Sequence, residues 1–307
     1  MMSLSHPVRD GIPPKCLPPR DVQAPKTFIV PAGAWDVHAH VIDGSDRIPF
    51  INDRSYTPSS ASPAEYIAML DAVGITYGVV IQISVHGADN RLIVEALQQY
   101  PARLRGVVSL GGSETEEELI ALRDAGVCGV RLNEHFAGGA KAEALEELAD
   151  RCRPLGWHLD LGLNSRRLKE LAPTLSALDI PLVIDHLGFC PINRGVEDSE
   201  FAAILELVRQ DRCWIKLSGG YRLLSPESRY DDIAPYVQAL CDAAPTRTIW
   251  GSDWPNVAIF EHWQLPETGA QLDALRKHIG NEKQFHAVLV DNPLKLFGLP
   301  GTTVIAA

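Results

Sequence analysis

Short apolar stretches rich in β-branched residues recur from Ala34 onward, each followed by a segment whose apolar positions repeat at helical spacing. The stretches are AWDVHAHV (34–41), YGVVIQIS (77–84), LRGVVSL (104–110), CGVRLN (128–133), HLDLGL (158–163), PLVIDHLG (181–188), CWIKLSGG (213–220) and TIWGSDWP (248–255). Most are near-continuous rather than alternating, the pattern of parallel strands covered by helices. Between them lie amphipathic segments such as AEYIAMLDAV, TEEELIALRDAG and EFAAILELVRQ, several of the set ending at glycine or proline. Eight successive strand–helix units predict an α/β fold, the (β/α)8 TIM barrel. A doubly wound sheet shares the alternation but usually carries a glycine-rich phosphate turn after its first strand, and none is present here.

Ahead of the first strand, residues 1–31 hold seven prolines, Pro7, Pro13, Pro14, Pro18, Pro19, Pro25 and Pro31. Proline fixes φ and lacks an N–H, so this region reads as an extended arm wrapping the surface, with the barrel domain spanning 32–307.

Composition narrows the partners. The 307 residues are 46% apolar and 22% charged, and 28 Lys plus Arg against 39 Asp plus Glu give a net charge of −11. An acidic surface repels a phosphate backbone, which argues against nucleic acid, while a few arginines at one site still suffice to hold a small anion. The apolar runs fall far short of the roughly 18 residues of a membrane span. The start, MMSLSHPVRD, has no apolar signal-peptide segment, so a cytoplasmic location is expected. The six cysteines show no CxxC or paired spacing and read as small buried hydrophobes rather than disulfide partners or zinc ligands.

Chemistry gathers at the ends of the predicted strands, the barrel rim where catalytic groups sit. Strand 1 ends in Asp36-Val37-His38-Ala39-His40, and residues two apart on a strand share a side, so His38 and His40 project together. Strand 6 ends in Asp185-His186-Leu187-Gly188 and strand 8 in Trp250-Gly251-Ser252-Asp253-Trp254-Pro255. Ionisable groups at three such ends point to one convergent site of His38, His40, His186 and Asp253. Asp36, Asp160 and Asp185 read either as acceptors orienting ring N–H groups or as caps of neighbouring turns, and alternation along strand 6 leaves Asp185 outside the site.

The HxH of strand 1, the IDHLG of strand 6 and the WGSDWP of strand 8, together with QISVHGADN, GVRLN, GWH and DNPLKLF, resemble the amidohydrolase superfamily. They resemble specifically the branch containing 2-pyrone-4,6-dicarboxylate lactonase and sugar-lactone hydrolases, from about Pro31 to Pro293. The resemblance implies a lactone hydrolase in which Asp253 activates water as general base and His38, His40 and His186 stabilise the oxyanion. It also implies that Tyr56, Ser84, His86, Arg131 and Arg222 bind a small anionic lactone, arginine being suited to carboxylates. This branch works without a metal, so no cofactor is expected. The alternative is a metal-dependent hydrolase or decarboxylase holding one zinc or other divalent ion through His38, His40, His186 and Asp253, and a lactone isomerase is a nearer variant. Strand 5 offers Gly162 where a metal-binding histidine would stand, with His158 on the opposite rim, and strand 4 lacks a bridging lysine, which argues against a two-metal centre. The chain departs from the lactonase pattern at Ala137 and Phe189, where arginines are expected, and at Gly162, where a tyrosine is expected. The sequence leaves the lactone's identity and a homo-oligomeric state open.

Overall fold

The computed structural model describes residues 12–302. Its core is one sheet of eight parallel strands in sequential order. They are β1 Trp35–Ala39, β2 Tyr77–Ile81, β3 Leu104–Val108, β4 Val127–Asn133, β5 His158–Gly162, β6 Leu182–Ile184, β7 Cys213–Lys216 and β8 Thr248–Ile249. The ring closes because Val37 N donates to Trp250 O (3.0 Å), Asp253 N to His38 O (2.8 Å) and His40 N to Trp254 O (2.8 Å). Eight longer helices follow the strands: α1 Pro63–Val73, α2 Arg91–Gln99, α3 Glu116–Asp124, α4 Leu145–Cys152, α5 Ser165–Ala177, α6 Ser199–Val208, α7 Ala234–Ala243 and α8 Thr268–Ile279. The expected (β/α)8 barrel is therefore the observed fold. None of the described helices is long and apolar enough to cross a membrane.

Each strand lies within its predicted stretch or begins one residue before it, and several end early. β6 stops at Ile184, β7 at Lys216 and β8 at Ile249. Beyond those points the backbone enters left-handed geometry at His186 (φ 50°), Gly219 (φ 62°) and Asp253 (φ 60°), which cannot continue a strand. The sequence pattern does not separate a buried strand from the buried turn that follows it.

The barrel interior is layered. Its lower layer is apolar, with Trp35, Val37, Val79, Val183, Trp214 and Ile249 packed together and joined by Phe297 of the C-terminal helix Asn292–Phe297. Trp35 lies 5.8 Å from Phe297 and 4.8 Å from Tyr77, ring centre to ring centre. His158 also packs on Phe297 (5.6 Å), at the end of the barrel remote from the other histidines. Strict alternation in β1 would send Val37 and His38 to opposite faces. A register shift between Asp36 and Ala39 turns both inward, so one short strand supplies the packing layer and the polar layer above it.

Residues 12–31 contain no helix. Thr57 N donates to Pro14 O, Cys16 N to Thr57 O and Leu17 N to Ile259 O. Further on, Gln23 N donates to Glu267, and Lys26 N and Thr27 N donate to Asp273 of α8. The first eleven residues of the expected arm lie outside the described part of the chain.

Candidate active site

His38, His40, His186 and Asp253 meet at the C-terminal mouth of the barrel, all of them buried. Glycine makes the approach possible: a Cβ on Gly251 would lie 2.6 Å from the backbone N of His38, and one on Gly219 would lie 2.5 Å from the His186 ring. Asp36 anchors the segment that presents Asp253, accepting bonds from Ser252 N (2.8 Å) and Ser252 Oγ (2.6 Å). Its carboxylate therefore holds backbone rather than a histidine ring.

The two oxygens of Asp253 have different surroundings. Oδ2 accepts from Arg222 Nε (2.6 Å) and from Tyr221 Oη (2.7 Å) and stands 3.7 Å from His186 Nε2. Oδ1 is buried with no hydrogen-bond partner and lies 3.9 Å from both His38 Nε2 and His40 Nε2. Burial acts to raise the pKa of this carboxyl, but Arg222, His186 and His38 outweigh it and hold it well below the usual range. The carboxylate is ionised at any ordinary pH.

The histidines are held neutral, mainly by burial, His40 at a pKa of about 3 and His186 at about 4, with His38 well below its ordinary value. His40 Nδ1 faces the backbone carbonyl of Ile81 at 2.8 Å, and a carbonyl only accepts, so the ring proton sits on Nδ1 and Nε2 is bare. Neutral His40 therefore offers a lone pair, not a proton, at Nε2. His186 Nδ1 pairs with Ser218 Oγ (2.8 Å).

Beneath His38 lies a charged layer. Lys216, fully buried at the end of β7, contacts Asp160, Asp185 Oδ1 (3.0 Å) and His38 Nδ1 (3.1 Å). Asp185 Oδ1 is also 3.2 Å from His38 Nδ1, and its Oδ2 accepts from Arg131 Nη2 at 3.2 Å. Burial raises Asp160 to a pKa of about 7, whereas in Asp185 the opposing Lys216 and His38 win and keep it well below its ordinary value. Asp185 thus belongs to the site. The left-handed turn at His186 ends strand geometry, so alternation does not apply across that pair. Lys216 escaped the sequence reading, although a lysine two places after Trp214 in an apolar strand is itself a signal of a paired charge.

Above these groups opens a small pocket of about 20 Å³, enough for a water molecule beside the reacting groups. Of the residues expected to bind substrate, Tyr56, Ser84, Arg131 and Arg222 line it. His86 is absent from the lining; its Nε2 accepts from Asp43 N (3.3 Å) and its ring packs beside Phe50 (5.3 Å). Tyr56 Oη and Ser84 Oγ are 3.2 Å apart. Arg222 is committed largely to the Asp253 ion pair and to Val257 O (3.0 Å), leaving Nη1 buried and unpartnered, as Nε of Arg131 is. Asn133, His135, Phe136 and Phe189 complete much of the wall and were not singled out as binding residues from sequence, because they sit in or beside loops without periodicity.

His38, His40 and Asp253 also form a group whose ligand atoms lie within 4.8 Å of one another, and imidazole with carboxylate is an ordinary donor set for one divalent ion. His40's bare Nε2 and Asp253's unpartnered Oδ1 fit such an ion directly. His38 fits it when its proton is on Nδ1, facing Asp185.

The chain is 35% identical over 292 residues to 4-sulfomuconolactone hydrolase of Rhizobium radiobacter, covering 94% of this chain and 97% of that protein. It is 34% identical to a 2-pyrone-4,6-dicarboxylate hydrolase of Comamonas testosteroni, covering 88% and 92%. A solved Acinetobacter baumannii structure, described as a 2-pyrone-4,6-dicarboxylic acid hydrolase with citric acid bound, superposes with a TM-score of 0.76 at 31% identity over 87% of this chain and all of that one. The Amidohydrolase family model matches residues 35–299, and the chain belongs to that family.

Proposed function

We propose that the protein hydrolyses the ester of a lactone bearing an anionic substituent, a carboxylate or sulfonate, with no cofactor required. The observation that carries this reading is a pair of acceptors, the buried, unpartnered Asp253 Oδ1 and the deprotonated His40 Nε2, 3.9 Å apart at the floor of an arginine-lined pocket. A water molecule there donates one hydrogen to each acceptor and turns a lone pair toward the ester carbonyl. Asp253 takes the proton as the water attacks and returns it to the ring oxygen as the C–O bond breaks. Ionised Asp253 is a weak base in the empty site, and its basicity rises as negative charge develops on the neighbouring carbonyl oxygen.

The oxyanion needs donors, and His38 and His186 supply them. Lys216 has three N–H groups and three neighbours, Asp160, Asp185 and His38 Nδ1. Donation into Nδ1 places the His38 proton on Nε2, facing the reacting atoms. Ser218 donating to Nδ1 of His186 does the same for that ring. Arg131 and Arg222 offer Nε and Nη1 to the substrate's anionic group. The names of the relatives, both hydrolases of acidic lactones, and the citrate in the Acinetobacter structure support the anion preference. A divalent ion, when held by His38, His40 and Asp253, would polarise the carbonyl and acidify the water.

The test is a panel of acidic lactones at neutral pH with and without chelator, followed by identification of the product. Ring-opened acid formed at the same rate with chelator is the expected result. No turnover of any acidic lactone overturns the reading, and a second lactone as product replaces hydrolysis by isomerisation.

A further inference from the structure

We propose that His135 and Phe189 are specificity-determining residues that select a flat, unsaturated lactone ring over a saturated, hydroxylated one; this rests on the lactonase reading above. Five rings succeed one another around the pocket. Tyr56 lies 5.0 Å from Phe136, Phe136 6.4 Å from His135, His135 3.8 Å from Phe189, and Phe189 4.9 Å from His186, centre to centre. All five line the pocket, so the aromatic band leads directly to the reacting atoms.

His135 is fixed in that band. Its backbone N donates to Asn133 Oδ1 (2.9 Å), and its loop is tied down by Ala137 N to Ser55 Oγ (3.1 Å) and by Glu134 to Ala142 N and Arg167. Its Nε2 is buried without a partner. Burial, reinforced by His186, lowers its pKa to about 4, so at neutral pH it is an uncharged ring with one unused hydrogen-bonding atom. Phe189 stands where the sequence resemblance expects an arginine. Phe189 and His135 therefore present a flat, uncharged stretch of wall, while Tyr56, Ser84, Asn133, Arg131 and Arg222 supply polar groups elsewhere around the pocket.

An unsaturated lactone is kept nearly planar by its double bond and offers a face free of hydroxyls to Phe189, with one ring or substituent oxygen left for His135 Nε2. A saturated sugar-acid lactone is puckered and carries several hydroxyls. Each hydroxyl turned to the Phe189 face loses water and finds no hydrogen-bonding atom on that ring. Both ring types occur in the names of proteins similar to this chain, so the family alone does not choose between them.

Two probes of equal charge separate them: muconolactone, an unsaturated monocarboxylate, and glucaro-1,4-lactone, a saturated one. The expected wild-type result is a kcat/KM at least about tenfold higher for muconolactone. F189L and F189A lower that preference several-fold, through KM more than kcat. H135A raises KM for muconolactone and H135Q, which keeps a hydrogen-bonding end, recovers part of it. A merely structural role would reduce both substrates alike, and thermal unfolding of each variant separates that case. Equal wild-type turnover of the two probes, or variants that act on both equally, overturns the inference while leaving the lactonase reading standing. Failure to open either ring, or any other acidic lactone, overturns both.

Discussion

The lower and upper layers of the barrel interior are built from the same strands and obey opposite rules. Below, Trp35, Val37, Val183 and Trp214 fill space around Phe297 with apolar surface. One step up the same strands, His38, Asp185 and Lys216 form a layer of charges and imidazoles as deeply buried as the tryptophans. The packed layer has no polar requirement to meet. The charged layer balances its charge downward, where Lys216 faces Asp160 and Asp185 although Oδ1 of each makes no hydrogen bond, and leaves His38 Nε2 and Asp253 Oδ1 without a partner upward. The unpartnered Oδ1 of Asp253, on a residue that lines the pocket, marks the direction from which substrate arrives.

The comparison is broken most forcefully at Asp253. Asp253→Asn keeps an oxygen for Arg222 and Tyr221 but removes the proton acceptor, so kcat is expected to fall by about 10³-fold while folded protein is still recovered. Steady-state kinetics alongside thermal unfolding check this, and near wild-type turnover would remove Asp253 from the base role. The lower layer predicts the reverse. Trp35→Ala is expected to cost about 3–5 kcal/mol in unfolding free energy, read by denaturant titration, with kcat/KM per folded molecule close to wild type. A large loss of activity in that folded variant would mean that the layers are not separable.

A smaller effect sharpens the contrast through pH. The His186 pKa lies near 4 in the folded protein against an ordinary value of 6.5. Between those values the unfolded chain binds a proton that the folded one does not, so the stability due to this depressed pKa is full above pH 6.5 and is lost as pH falls toward 4. The stability difference between wild type and His186→Gln is therefore expected to shift against wild type across that window. A difference that is flat with pH would show that His186 is not held neutral by burial.

Much of this was legible in the sequence, for identifiable reasons. Parallel strands covered on both faces announce themselves as apolar runs, and the residues that end them, His38, His40, His186 and Asp253, stand out because ionisable groups are rare there. Their convergence followed from the barrel's single catalytic rim. What stayed hidden depended on local departures from regularity. The left-handed turn at His186 brought Asp185 into the site against the alternation rule, and the bond from His40 Nδ1 to Ile81 O fixed a tautomer that no spacing encodes. The pairing of Arg222 with Asp253 joins two loops, and His135 belongs to another loop, so neither had a periodic pattern to reveal it.

The arm's attachments also constrain how the molecule is made. Gln23, Lys26 and Thr27 bind carboxylates 244 to 247 positions further along the chain. At about 5–20 residues per second, a ribosome adds that length in roughly 12–50 s, and throughout that interval these three residues lack their partners. Pro25 within the stretch, with a fixed φ and no N–H, disfavours a helix there meanwhile. Its docking onto α8 thus waits until α8 itself has been made.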